Sequence, residues 1–139
     1  MDGPAARLFE VAPEARLLIM LREPTERAVS AYVHYQRFGF LPHEPVAEGL
    51  AKVFAGDYDA QHARATEVRE FGRYAAALAR WSAIFPRDQM LVVTFDAFKA
   101  NPKAVFDQAC AFLGVRGGDY PRALFERANE GAYSPASMA

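Results

Sequence analysis

A single cysteine, Cys110, in 139 residues removes two classes of scaffold at once. It can form neither an internal disulfide nor a thiolate metal cluster, and its apolar helical neighbours make it a small core residue. Long hydrophobic runs are missing as well, since no segment reaches the roughly 18 consecutive apolar residues of a membrane span. Asp2, Glu10 and Glu14 precede the first apolar run, which is unlike a signal peptide, so a cytoplasmic location is expected. Net charge is nearly absent: 16 basic against 17 acidic residues leave −1, and neither nucleic acid nor a membrane surface is expected as a main partner. His43 and His62 lack metal-ligand spacing, and no metal is expected. Repeats and low-complexity tracts are absent. With apolar residues at 52%, the chain can bury one core, and a single domain over residues 1–139 is expected.

What is present centres on residues 16–35. Leu17 to Leu21 form an unbroken apolar run of strand length, suited to a strand buried on both faces as in parallel α/β sheets. Arg22 ends it. Glu23-Pro24 then punctuates the chain, because proline pushes its predecessor out of the α region and itself fits the first turn of a helix. The predicted helix runs from Pro24 to about Phe38. Arg22 thus leaves the carboxyl end of a strand, where open α/β sheets place their ligands. Six residues of helix at ~1.5 Å rise put Ser30 roughly 9 Å along the axis from Pro24. A guanidinium on a long stem could close that gap, so that one phosphate would bridge Arg22 and Ser30. The plain alternative makes Arg22 a strand-end charge and Ser30 a tolerated helix residue near Glu26. His34 shares the flank of Ser30, and a histidine on a helix flank reads as a surface residue before it reads as a base.

The remaining pattern alternates helix and strand. A weak helix over residues 4–12 ends at Pro13. Glu44-Pro45 starts a short helix with Val46, Leu50, Val53 and Phe54 as its apolar stripe and Gly56 as its stop. The spacing of Phe71, Tyr74, Ala75, Leu78, Trp81 and Phe85 predicts one long helix over 62–85, with Gly72 a cost inside it. Pro86-Arg87-Asp88 turns the chain into a strand over Met90 to Phe95. Asn101 caps a helix carrying Val105, Phe106, Ala109, Phe112 and Leu113 on one face and stopping at Gly114. A short helix over 121–128 follows. Strand, helix, strand with a long crossover is the grammar of a parallel sheet.

The segment Arg22-Glu-Pro-Thr-Glu-Arg-Ala-Val-Ser30-Ala-Tyr32 resembles the Arg-(Asp/Glu)-Pro-x-x-Arg-Ala-x-Ser-x-Tyr segment of sulfotransferases that use 3′-phosphoadenosine 5′-phosphosulfate (PAPS). Gly72-x-Tyr74, Leu78, Trp81, Phe85-Pro86, Phe95-Asp96-Ala-Phe98, Asn101-Pro102 and Phe112-Leu113-Gly114 follow in the family's order, and the resemblance covers residues 5–135. Asp96 stands where the family usually has Glu, and Ala97 where it often has Asp. The resemblance implies a P-loop NTPase-like, three-layer α/β/α fold, here incomplete, with a short parallel sheet and about five helices. It implies PAPS as co-substrate, with the 3′-phosphate gripped by Arg22 and Ser30, and a small-molecule or carbohydrate acceptor; Arg27 is a weaker candidate, for support behind that pair.

The family's Lys/Arg-Gly-Ser/Thr loop for the 5′-phosphosulfate and its His or Glu base match no position here. The chain is therefore expected to be the central and C-terminal portion of a sulfotransferase, with no catalytic residue assigned. Two other readings stay open: a non-catalytic module binding 3′-phosphoadenosine nucleotides, and a small α/β interaction domain without a nucleotide site. A sheet of two strands leaves edges uncovered, so exposed apolar surface and self-association through the sheet edge are expected.

Overall fold

The computed structural model describes residues 3–121 and 125. Among them the elements run α1 (Pro4–Val11), β1 (Leu17–Leu21), α2 (Pro24–Arg37), α3 (Val46–Ala55), α4 (Ala63–Glu70), α5 (Tyr74–Ser82), a 3-10 turn (Arg87–Gln89), β2 (Met90–Thr94), α6 (Phe95–Ala100) and α7 (Pro102–Leu113). They fall into two compact units, one formed by the chain through Arg22 and from Tyr74 onward, the other by Glu23–Arg73.

In the first unit β1 and β2 pair in parallel, from Leu17 opposite Met90 to Leu21 opposite Thr94. Five apolar residues in β1, and four with a β-branched threonine in β2, form strands readily without proline, and the helical crossover between them makes the pairing parallel. Phe85 and Met90 are buried, with the Phe9 ring edge-on to Phe85 at 5.3 Å and Trp81 at 5.9 Å. Gln89 fixes the entry to β1 by donating Nε2 to the carbonyls of Pro13, at 2.8 Å, and Ala15, at 3.2 Å. Asn101 caps α7 through the Ala104 amide at 3.1 Å, and Gly114 stops it in the left-handed region at φ 73°. Arg16 donates to the Phe112 carbonyl near that end.

The second unit packs α2, α3 and α4 around Ala28, Tyr32, Val46, Val53, Ala65 and Val68. Buried Gln36 donates from Nε2 to the carbonyls of Pro42, at 2.9 Å, and Glu44, at 2.7 Å, which ties down the loop between α2 and α3. The carboxylate of Glu44 receives Lys52 and the Tyr58 hydroxyl. Gly56 ends α3 at φ 88° as expected from its position.

The helix predicted over 62–85 is two helices. Past Glu70 the Gly72 amide turns to the Arg69 carbonyl at 3.3 Å and the Arg73 amide to Glu70 at 3.0 Å, so the i to i−4 ladder ends there. Phe71, assigned to the apolar stripe, is 60% exposed in consequence. The second correction is α6: Thr94 accepts the Ala97 amide at 3.2 Å and starts a helix at Phe95, where the strand was expected to continue. These two changes account for seven α-helices among the described residues instead of about five. Phe54 and Leu113, also placed on apolar faces, are exposed. The helix expected over 121–128 lies almost wholly outside the described residues.

Uncovered apolar surface is found along β1. Leu18 is 50% and Met20 48% exposed, two residues apart and therefore on one face of β1. A space of about 540 Å³ lies along that strand, bounded by Tyr74, Ala77, Leu78 and Trp81 of α5.

Candidate functional site

The strand-to-helix turn after β1 is built from the residues singled out in the sequence. In the first unit, Arg22 follows the last residue of β1, and its carbonyl accepts the Tyr74 hydroxyl at 2.9 Å. Its guanidinium carbon lies 5.4 Å from the centroid of the Phe95 ring, the first residue after β2. Stacking on an aromatic face restrains a long flexible stem and leaves a charged planar group at the carboxyl end of the strand pair. Position and charge suit an oxyanion.

In the second unit, Glu23 is the N-cap of α2 and accepts the Glu26 amide at 2.7 Å, with Pro24 in the first turn. The acid-Pro pair is thus a capping device as well as a punctuation mark. Ala28 and Tyr32 face the core, and Ser30, half-buried, stands between them in sequence. His34 is exposed and lies against the Phe38 ring at 4.7 Å, as a surface residue would.

Sequence reasoning undervalued Arg27. Its Nη2 donates to the Val68 carbonyl on α4, 41 residues away, and its Nε is buried with no partner among the described residues. Gly72 lies beside it: a Cβ there would stand 3.7 Å from Nε and Nη2. The signal available in the sequence was an arginine adjoining two core positions, Ala28 and, one turn on, Ala31.

Burial, the charge of Glu44 and the hydrogen bond to it push the Tyr32 phenol up to about 12. Burial and a hydrogen bond to Glu67 also raise Tyr35. The same bond holds the Glu67 carboxyl below its usual range. These are the signatures of an interior built on phenol–carboxylate bonds, with neutral tyrosines at physiological pH.

The family model of the sulfotransferase domain matches residues 6–124. The chain belongs to the sulfotransferase domain family. The crystal structure of a sulfotransferase from Alicyclobacillus acidocaldarius is 36% identical and aligns with a TM-score of 0.73, covering 86% of this chain and 47% of that one. The human bifunctional heparan sulfate N-deacetylase/N-sulfotransferase 3 is 31% identical over 111 residues, 78% of this chain and 13% of that protein. The rat carbohydrate sulfotransferase 15 is 30% identical over 116 residues, 74% of this chain and 21% of its own length. This sulfotransferase chain thus spans about a fifth or less of these curated relatives and about half of the solved structure. The α/β sulfotransferase fold expected from the sequence is the one observed, here with a parallel pair of strands.

Proposed function

We propose that this sulfotransferase domain binds the 3′-phosphate of PAPS, and of the product adenosine 3′,5′-bisphosphate, through Arg22 and Ser30. The complete protein would transfer the sulfuryl group to a hydroxyl or amine of an acceptor. The supporting observation is the local build of the turn: a cation stacked at the carboxyl end of β1, then an acid-capped, proline-started helix carrying Ser30. Arg supplies a planar fork of donors and the serine hydroxyl a neutral one, a set matched to phosphate oxygens. PAPS supplies the activated sulfuryl group. This chain's own part is to hold the nucleotide end remote from the transferred group.

The names of the relatives favour a carbohydrate acceptor, which becomes part of the proposal. Among the described residues no helix is long and apolar enough to cross a membrane. A cytoplasmic location is proposed with it, as is self-association through the outer edge of β1, which has no strand partner among the described residues on that side of the two-stranded sheet.

The test is thermal unfolding with nucleotide. At a ligand concentration 100 times Kd, adenosine 3′,5′-bisphosphate stabilises the fold by about 2.7 kcal/mol by mass action. Arg22→Ala is expected to abolish the shift. Equal stabilisation by adenosine 5′-monophosphate overturns the assignment, because the 3′-phosphate is then not read.

A further inference from the structure

We propose that Arg27 is a positioning residue that fixes Ser30 for phosphate recognition, by one of two ties that hold α2 on α4 on either side of that serine. The inference rests on the nucleotide site proposed above, and all the groups it uses lie within the Glu23–Arg73 unit.

The first tie is the bond from Arg27 Nη2 to the Val68 carbonyl. In an uninterrupted helix the Gly72 amide would occupy that carbonyl. Here the amide turns to Arg69 instead, and the guanidinium takes the vacated acceptor. The second tie is the Tyr35 hydroxyl, which donates to Glu67 Oε2 at 2.5 Å. Arg27 and Tyr35 are about two helical turns apart, and their acceptors, Val68 and Glu67, are adjacent residues at the end of α4. Ser30 lies between the two ties in sequence.

Two fixed points along one helix set both its axial position and its rotation. They refine an orientation that the core packing of Ala28 and Tyr32 already sets coarsely. A hydroxyl that must meet one phosphate oxygen tolerates displacements of only about 0.5 Å, so the ties matter more for recognition than for holding the unit together. The buried Arg27 Nε supports this view. Buried donors almost always find partners, and an orphaned one marks a guanidinium placed for the geometry of its other nitrogen. Packing alone would be served by an apolar side chain.

Isothermal titration of the whole chain with adenosine 3′,5′-bisphosphate and adenosine 5′-monophosphate tests this in wild type, Ser30→Ala, Arg27→Ala, Arg27→Lys and the Ser30→Ala/Arg27→Ala double variant. Arg27→Ala is expected to cut the preference for the 3′-phosphorylated nucleotide about tenfold. The double variant should lose no more than Ser30→Ala alone, because Arg27 acts through Ser30. Arg27→Lys keeps one donor for the Val68 carbonyl and should retain part of the preference, which keeps the test decisive if the alanine variant fails to fold.

A merely structural arginine would lower the urea midpoint and leave the nucleotide preference intact. That result, or additive losses in the double variant, overturns the inference. If wild type shows no preference between the two nucleotides, the proposed site itself falls. Preference abolished by Ser30→Ala but untouched by Arg27→Ala and Arg27→Lys refutes the positioning role alone.

Discussion

Gly49→Ala is the perturbation whose cost the structure defines most sharply. Gly49 lies inside α3, where alanine should improve the helix by about 1 kcal/mol. The added Cβ would stand 1.6 Å from Tyr32 Oη, 2.2 Å from Cζ and 3.0 Å from Cε1. Tyr32 is 0% exposed and has no open side to retreat to. Its hydroxyl receives Gln36 Nε2 at 3.2 Å and faces Glu44 Oε1 at 3.4 Å, so expelling the ring also breaks those bonds. Overpacking costs about 1–3 kcal/mol, and each lost hydrogen bond adds about 1 kcal/mol. Set against the helix gain, a net destabilisation of roughly 2–4 kcal/mol is expected, or roughly 8–16 °C in Tm for a chain of this size. Circular dichroism melting of Gly49→Ala beside Gly118→Ala, where a Cβ meets nothing within 4 Å, provides the measurement and its control. Tyr32→Phe should not rescue, since Cζ itself obstructs, whereas Tyr32→Leu should shrink the cost by at least 1 kcal/mol through coupling. A Gly49→Ala protein that melts at or above the wild-type temperature refutes the close approach.

Alkaline titration followed by phenolate absorbance should show a late step near pH 12, to which Tyr32 and Tyr120 both contribute and which Tyr32→Phe reduces by one phenol. Because folding raises the Tyr32 pKa, its contribution is complete below the ordinary value of 10.0 and is lost as pH rises towards 12. On the acid side, Arg69, bonded to Asp59 at 2.9 and 2.7 Å, holds that carboxyl below its ordinary 3.8. The resulting stability is present above that value and fades as pH falls through the lowered one, so Asp59→Asn should flatten the acid limb of a stability–pH curve. Leu18→Lys/Met20→Lys should reduce self-association in sedimentation velocity without lowering Tm, because both side chains are already about half exposed. An unchanged association state would remove the β1 edge from consideration.

The elements legible in the sequence are those whose boundaries are written within a few residues. Pro24 and Asn101-Pro102 start their helices, and Gly56 and Gly114 end theirs, through interactions confined to one turn. The break after α4 is different in kind. It turns on the Val68 carbonyl and a guanidinium 41 residues earlier, and no window of local periodicity contains both. The aromatic spacing that suggested a continuous helix was real for Tyr74, Leu78 and Trp81 but carried Phe71 along with it. Helix α6 was hidden for another reason: Thr94 is both the last strand residue and an N-cap, two roles with the same extended backbone. Exposure at Phe54 and Leu113 was illegible because helical spacing identifies a face without saying whether anything covers it.

The same separation of local from distant causes narrows the motif at residues 22–32 to its functional part. Glu23 caps α2, Pro24 fits its first turn, Arg27 reaches Val68, Ala28 fills the core, and Tyr32 carries both packing and the bond from Gln36. Arg27 apart, whose bond serves the placement of Ser30, each of these residues has a duty in folding itself. Ser30 is required by none of those duties. In a helix interior serine is worse than alanine, since its hydroxyl competes for backbone groups. A residue that local propensity disfavours and packing does not demand is the one whose identity needs an external reason. The 3′-phosphate proposed above would supply that reason, and Ser30→Ala separates the two demands: it should leave Tm unchanged or slightly raised while weakening binding of adenosine 3′,5′-bisphosphate. Loss of stability in that variant would show that the hydroxyl serves the fold.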